Sequence, residues 1–331
     1  MHWRHFTAME VMYETCPFPT FLGYFAYGLP HAWHVVEVAL TFLAELGAPL
    51  LALFGGRRGR WLAVIIWVGF QAGIELTSNF GWLNTGSLVL GFVLLDDQML
   101  VSAAIFLRLR KLAGLLAAKA AAQVTPVITA LRLYGLRVLL GAQFCLTLYY
   151  AVIFFGGMTL KDIPYMSNRP IEVIFGGFRS SNVYHPYSSF PQTVKYEVEF
   201  EGSNDGGATW RTYPFRHKPQ REDRLSGFIS PWFARFEATL QIATYTSPRS
   251  RMIPKVAAKL IERNPDVMAL FRDDPFPDKP PTMIRMPVYL MKHTDPETHR
   301  RTGLYWTKTR VGDFLPMVYL DDDGRVTEAK Q

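Results

Sequence analysis

The sequence predicts a polytopic α-helical membrane domain of about four spans, followed by an exoplasmic α+β domain built on a small antiparallel sheet or sandwich. Three observations carry that reading. Apolar runs of bilayer length fill the chain as far as Met158 and stop there. Nine of the ten Lys and Arg residues of this half fall in two loops between the runs. From Thr159 the chain turns polar and Pro-punctuated, and apolar and charged residues begin to alternate at period two. The implied organisation is an exoplasmic amino-terminal segment 1–34, a transmembrane helical domain 35–158 and a soluble exoplasmic domain 159–331.

Residues 35–54 are apolar over about the length that a bilayer core requires. Residues 61–95 are too long for one span and are interrupted by Ser78, Asn79, Gly81 and Asn84, which predicts two helices joined by a tight turn. Residues 136–157 form the last span. Residues 102–122 are rich in Ala and Leu but carry Arg108, Arg110, Lys111 and Lys119, which suits an interfacial helix better than a span. Asp96 and Asp97 are expected to end the third helix, Asp96 capping the next one, because a carboxylate inside the membrane costs about 2.5–3.5 kcal/mol.

Charge sets the orientation. Arg57, Arg58 and Arg60 follow the first span; Arg108, Arg110, Lys111, Lys119, Arg132 and Arg137 follow the third; the turn at Asn79 has no charge. Basic loops stay in the cytoplasm, so both termini face a periplasm or an ER lumen, and the membrane is a bacterial inner membrane or the ER membrane.

In the polar half, Val194, Tyr196, Val198 and Phe200 alternate with Lys195, Glu197, Glu199 and Glu201, the pattern of a half-buried strand with its charges in water. The turn at residues 203–207 leads to a partner strand over 210–215. Residues 282–292 read as one further strand, hairpin-paired with 304–310 across the polar loop 294–302. Helices are expected at 231–245 and 254–262, each beginning with Pro, and a short turn after Pro265.

Several function classes are excluded. The net charge of +7 is not gathered into a basic run interleaved with aromatics, which argues against nucleic acid as a partner. Cys16 and Cys145 both precede the polar half, so that half cannot carry out thiol exchange. No Walker-type loop and no Gly-x-Ser-x-Gly element is present. No cofactor is called for. His31, His34 and Glu37, spaced three apart, share a helix face and offer N and O donors, but no fourth ligand accompanies them. With Glu75 they form a candidate intramembrane polar site; Glu45 is a further acid in an apolar run.

The order of motifs along the chain resembles one family. Asn264-Pro265-Asp266, an apolar turn and the run Asp274-Pro275-Phe276-Pro277-Asp278-Lys279-Pro280-Pro281 lead into the strand 284–290. Tyr305-Trp306 follows, then Arg310-Val311-Gly312-Asp313-Phe314-Leu315-Pro316. This is similar to the Asn-Pro-Phe-Pro, Arg/Tyr strand, paired Trp and Val-Gly-Glu-Tyr-Leu-Pro elements of the lipase maturation factors. The strand from Tyr196, Trp210, Lys218-Pro219 and Phe228-Ile229-Ser230-Pro231 fit the same template. Upstream, so do Tyr13-Glu14-Thr15, Leu29-Pro30-His31, Trp82-Leu83-Asn84 and Leu95-Asp96-Asp97. The sequence departs at Trp232-Phe233-Ala234-Arg235-Phe236-Glu237, where the family has an Arg-Leu-Asp-Trp-type stretch. Family members also begin with further spans ahead of the Tyr-Glu-Thr element. The expectation is therefore a carboxy-terminal piece, with a separate amino-terminal membrane subunit among its partners beside the lipid bilayer.

The resemblance implies a membrane-anchored chaperone that holds immature secreted proteins, lipases among them, without covalent chemistry. Phe228, Trp232, Phe233, Phe276 and Tyr289 are the candidate client-binding residues. Two alternatives stand beside it. One is an integral-membrane enzyme of a carboxylase-like helical class, using His31, His34, Glu37 and Glu75 in a wet cavity; the other is a structural fragment of a split membrane protein.

Overall fold

A computed structural model describes residues 2–122, 130–155, 193–246, 252–321, 323 and 325–328. The chain forms two compact units, one from Met1–Leu95 together with Phe190–Gln331, the other from Asp96–Ser189.

The first unit opens with α1 (Ala8–Thr15) and α2 (Phe21–Tyr27), the latter capped by the Thr20 hydroxyl, which accepts from Gly23 N. α3 (His31–Phe42) and α4 (Ala48–Phe54) follow, joined into one helix by the π turn Leu43–Gly47. Pro49 has no N–H to give to the carbonyl of Glu45, and a widened turn is how a helix absorbs that loss. α5 (Gly56–Ser78) ends at Asn79, whose left-handed φ of 50° and the φ of 71° at Gly81 make the predicted tight turn into α6 (Trp82–Gly91).

His31–Phe54 and Gly56–Ser78 are long and apolar enough to cross a membrane. Trp82–Leu94 and Asp97–Phe106 make a third if counted as one broken span. Side chains such as Leu53, Phe54 and Val93 stand exposed on these helices, as lipid-facing residues do.

In the second unit, α7 (Asp97–Phe106) is capped as expected by Asp96, which accepts from Met99 N at 2.9 Å. The predicted interfacial helix 102–122 is instead the end of α7 and a separate helix, α8 (Arg110–Ala122). Arg108, at a left-handed φ of 58°, breaks the two apart. α9 (Ala130–Phe155) covers most of the expected fourth span; residues 156 and 157 lie outside the described residues.

The described part of the polar half, from residue 193 onward, belongs to the first unit and holds two antiparallel sheets. One has the order β1 (Lys195–Val198), β5 (Pro287–His293), β6 (Trp306–Asp313). The other runs β3 (Arg211–Thr212), β2 (Glu201–Ser203), β4 (Met283–Arg285), β7 (Val318–Leu320), β8 (Val326–Glu328). Two segments read as single strands therefore pass from one sheet to the other. The first changes at Glu199–Phe200 and the second at Met286, where Glu199 N donates to Pro287 O and Phe314 N to Met286 O. Pro287 tolerates its place because it opens a strand.

Helices α10 (Arg235–Thr246) and α11 (Met252–Ile261) close a core of Val198, Phe200, Tyr213, Phe271, Ile284 and their neighbours. α10 starts four residues later than predicted: Ser230 and Pro231 lie in a turn closed by the Trp232 N–H on Ile229 O, and residues 232–234 lead into the helix. Asn264 caps the short α12 (Pro265–Met268), and the loop 294–302 contains a further helix, α13 (Pro296–Thr302), capped by Asp295.

Candidate functional site

The charged face of the first strand is not in water. Lys195, Glu197, Glu199 and Glu201 are all buried, as are Val198 and Phe200 opposite them. Alternation along a strand separates its two faces but says nothing of what covers each. Here the second face is covered by the chain around Cys16, the loop through Lys218, and Lys308 of β6. Charges so buried need partners. The Glu197 carboxylate lies 3.0 Å from Lys195 Nζ and also meets the Lys218 ammonium. Lys308 Nζ donates to Glu199 at 2.6 Å and to Gln220 O at 2.9 Å. Burial pushes the Glu199 carboxyl up, with Lys308 opposing. Arg285 Nε and the Tyr289 hydroxyl both donate to Glu201, at 2.6 and 2.8 Å. Glu237, also buried, accepts from the backbone N–H groups of Arg216, His217 and Lys218, which fixes the loop that delivers Lys218.

This seam continues into the helices. The Lys195 ammonium donates to Cys16 O, and Gln241 Nε2 to Thr15 O at 2.7 Å. The Tyr24 hydroxyl donates to Thr294 O at 3.1 Å. His293 stacks on Trp306 with ring centroids 3.9 Å apart, and Tyr27 lies 4.8 Å away. Burial, reinforced by the Lys195 charge, holds the His293 pKa down at about 3, so the ring is neutral at ordinary pH.

At the turn after α5, Asn79 is fully buried. Its side-chain amide donates to Phe18 O at 3.1 Å and to Gly227 O at 2.9 Å, and its oxygen accepts from Ile229 N at 3.0 Å. A Cβ at Gly81 would come within 2.8 Å of Trp232 O, so glycine is required where the two backbones touch. Phe18 meets Phe233 edge-on at 6.0 Å.

Of the predicted intramembrane polar residues, His34 and Glu37 come together, while His31 and Glu75 take other partners. His31 pairs with Glu10 at 2.7 Å on the exposed surface. His34, buried, lies 2.9 Å from Glu37, whose other oxygen accepts from the Tyr13 hydroxyl at 2.9 Å. Glu75 accepts from Thr85 at 2.9 Å, beside a Gln71–Asn84 hydrogen bond of 2.7 Å. His31 and His34 thus share a helix face but not a ligand position. Among the described residues no group of three His, Cys, Asp or Glu side chains is arranged to hold a metal.

The predicted client-binding aromatics divide in three. Phe276 is a core residue, 2 % exposed, with its ring against Gly202 and Tyr213, so an incoming chain does not meet it. Phe233 and Tyr289 are half-buried, the first against Phe18 and the second on Glu201. Phe228 and Trp232 project, at 58 % and 80 % exposure. Sequence reasoning missed the outer edge of β6, where Thr307 and residues 309–313 are exposed. Its signal is the polar, Gly-containing stretch Thr307-Lys308-Thr309-Arg310-Val311-Gly312, which carries one large apolar side chain.

An extramembrane two-sheet domain hydrogen-bonded to the ends of apolar spans defines the class: a polytopic integral membrane protein whose polar half is an integral part of its helical half. Residues 1–102 match the lipase maturation factor transmembrane domain and residues 180–316 the lipase maturation factor C-terminal domain, in that order. The chain belongs to the lipase maturation factor family, as its motifs led us to expect. It is 26 % identical to lipase maturation factor 1 of Homo sapiens over 97 % of its own length and 56 % of that protein's. It is 24 % identical to lipase maturation factor 2 of Mus musculus over 97 % and 57 %. A shorter stretch, 30 % of this chain and 14 % of the relative, is 39 % identical to lipase maturation factor 2 of Homo sapiens. The chain thus spans a little over half the length of the curated relatives that it matches end to end. No solved structure matches it.

Proposed function

We propose that this chain is a membrane-anchored folding and maturation factor for secreted proteins, lipases among them, acting non-covalently from the exoplasmic side. The observation that carries the reading is its likeness, through both domains in order, to proteins named for lipase maturation. The side of the membrane has support of its own. α5 bears Arg57, Arg58 and Arg60 at one end and the uncharged turn Ser78–Trp82 at the other. The polar domain is hydrogen-bonded to the uncharged end through Asn79. With the arginines in the cytoplasm, that domain lies in a periplasm or lumen.

The client surface we favour is the edge of β6 beyond Lys308, since Glu222 already takes the N–H groups of Trp306 and Lys308. An exposed edge strand offers backbone donors and acceptors to an extended segment, and an unfinished client presents such segments until its own sheet or dimer covers them. Holding by backbone pairing needs neither a nucleophile nor ATP.

The test uses cells lacking this chain's gene, complemented with the full chain and expressing a secreted lipase. Complementation is expected to raise the specific activity of the secreted lipase, Val311→Pro to abolish most of that gain, and a photo-crosslinking amino acid at 311 to capture newly made lipase. Unchanged lipase activity on deletion would remove the maturation role. Full activity of Val311→Pro without capture would remove the β6 seat alone.

A further inference from the structure

The exposed aromatic residues of the polar domain lie beside the end of an apolar helix. Four large apolar side chains are exposed among its described residues, Phe228, Trp232, Ile242 and Val311, and two of them share one uncharged loop, Gly227–Phe233. That loop does not hang free. Asn79 takes Gly227 O and Ile229 N, and Gly81 packs against the Trp232 backbone, so the loop is fixed to the turn that ends α5.

α5 fixes the level of that turn. Its 23 residues make a rod of about 34 Å, against about 30 Å of hydrocarbon. With Arg57, Arg58 and Arg60 at the headgroups of one leaflet, Ser78 and Asn79 reach the boundary of the other. Two neighbouring elements expose aromatics at the same level. Trp82, at the start of α6, is 65 % exposed. α2 is bonded to the last turn of α5, with Thr20 Oγ1 donating to Leu76 O at 2.6 Å, and turns Phe21 and Phe25 outward, about 60 % exposed each.

We propose that the loop Gly227–Phe233 lies in the outer membrane interface, with Phe228 and Trp232 between headgroups and acyl chains, completing a belt with Phe21, Phe25 and Trp82. Aromatic side chains favour that depth because their rings are apolar while the Trp N–H still finds a polar partner. The partner is a lipid surface rather than a client: the loop carries no charge, is tethered to a span end, and continues a row of lipid-level aromatics from the helical half. The inference rests on α5 crossing the membrane and is independent of the maturation role.

The test uses the full chain in phosphatidylcholine nanodiscs, in a Cys145→Ser background that leaves only the buried Cys16. Spin labels at Phe228→Cys and, separately, Trp232→Cys are compared with Lys259→Cys, an exposed site on α11. Collision with oxygen relative to a water-soluble nickel chelate is expected to be several-fold higher at the loop sites. In parallel, brominated phosphatidylcholine is expected to quench the emission lost in Trp232→Phe, which needs no label and no loop cysteine. A loop ratio equal to that at 259, with unquenched Trp232, overturns the proposal. So does a loop shielded from both agents only when an immature secreted protein is added, which would make it a client seat.

Discussion

Replacing Lys195 with Met tests whether the buried seam holds the polar domain on the helices. Lys195 is fully buried, and its ammonium serves both Glu197 at 3.0 Å and the Cys16 carbonyl. Breaking a buried pair from one side costs about 3–5 kcal/mol, because the remaining charge loses compensation. Glu197 keeps Lys218, and Met replaces the lysine stem at similar volume, which places Lys195→Met at the lower end, about 3–4 kcal/mol. The readout is local. Cys16 is 2 % exposed and hydrogen-bonds through its thiol to Ser78 O, so an alkylating reagent reaches it only when the domain lifts away. In the Cys145→Ser background, alkylation of Cys16 in detergent is expected to accelerate by about 10²–10³-fold, at 1.4 kcal/mol for each tenfold. Lys195→Met combined with Glu197→Gln should cost less than the two single losses added together, since the second change removes a pair that the first has already broken, although Lys218 then lacks its carboxylate. An acceleration under about fivefold, or a double variant whose loss is the simple sum of the singles, would refute the argument that the pair, rather than packing, joins the two halves.

Three further outcomes follow from individual contacts. His293 is held near pKa 3 when folded and titrates near 6.5 when unfolded; below about 6.5 the unfolded chain takes a proton that the folded ring refuses. Stability is therefore expected to fall between about pH 6.5 and 3 by up to about 1.4 kcal/mol per unit and to level off below; melting of His293→Phe across that range should lack this slope. Asn79→Ala removes three hydrogen bonds and puts alanine, which tolerates the left-handed region less well than asparagine, at φ 50°, at an expected cost of about 2–4 kcal/mol, read as faster proteolysis within residues 226–233. Phe276→Ala should lower the melting stability by about 3–5 kcal/mol through the cavity it leaves, while the β6 edge still captures client at a temperature where the variant is folded.

The helices of the membrane half were legible because long apolar runs are local signals. The turn at Asn79, the Asp96 cap and the β5–β6 hairpin were all legible for the same reason. What could not be read was what covers what. Lys195, Glu197 and Glu199 have the spacing of a solvated face, and only contacts from Cys16, Lys218 and Lys308 turn that face into an interior. Residues 282–292 alternate as one strand, yet the chain leaves one sheet and enters another at Met286, a change that period two does not record. Phe276 looked like surface because it sits in a Pro-rich run; Gly202 beneath it, lacking a side chain, is what lets the ring in. The family resemblance, by contrast, needed only motif order.

The seam also sets a timetable for biosynthesis. Tyr24 waits for Thr294, 270 residues later, and Thr15 and Cys16 wait for Gln241 and Lys195. Asn79 has Phe18 at hand but must wait for Gly227 and Ile229. A nascent chain halted before residue 190 would thus leave carbonyls and a carboxamide unsatisfied at the membrane surface, although its spans had already inserted. The helices need the late half in order to finish folding, as much as the late half needs them for anchorage. A chain interrupted in its second half should be cleared as a whole by quality control, rather than persist as a stable membrane stub.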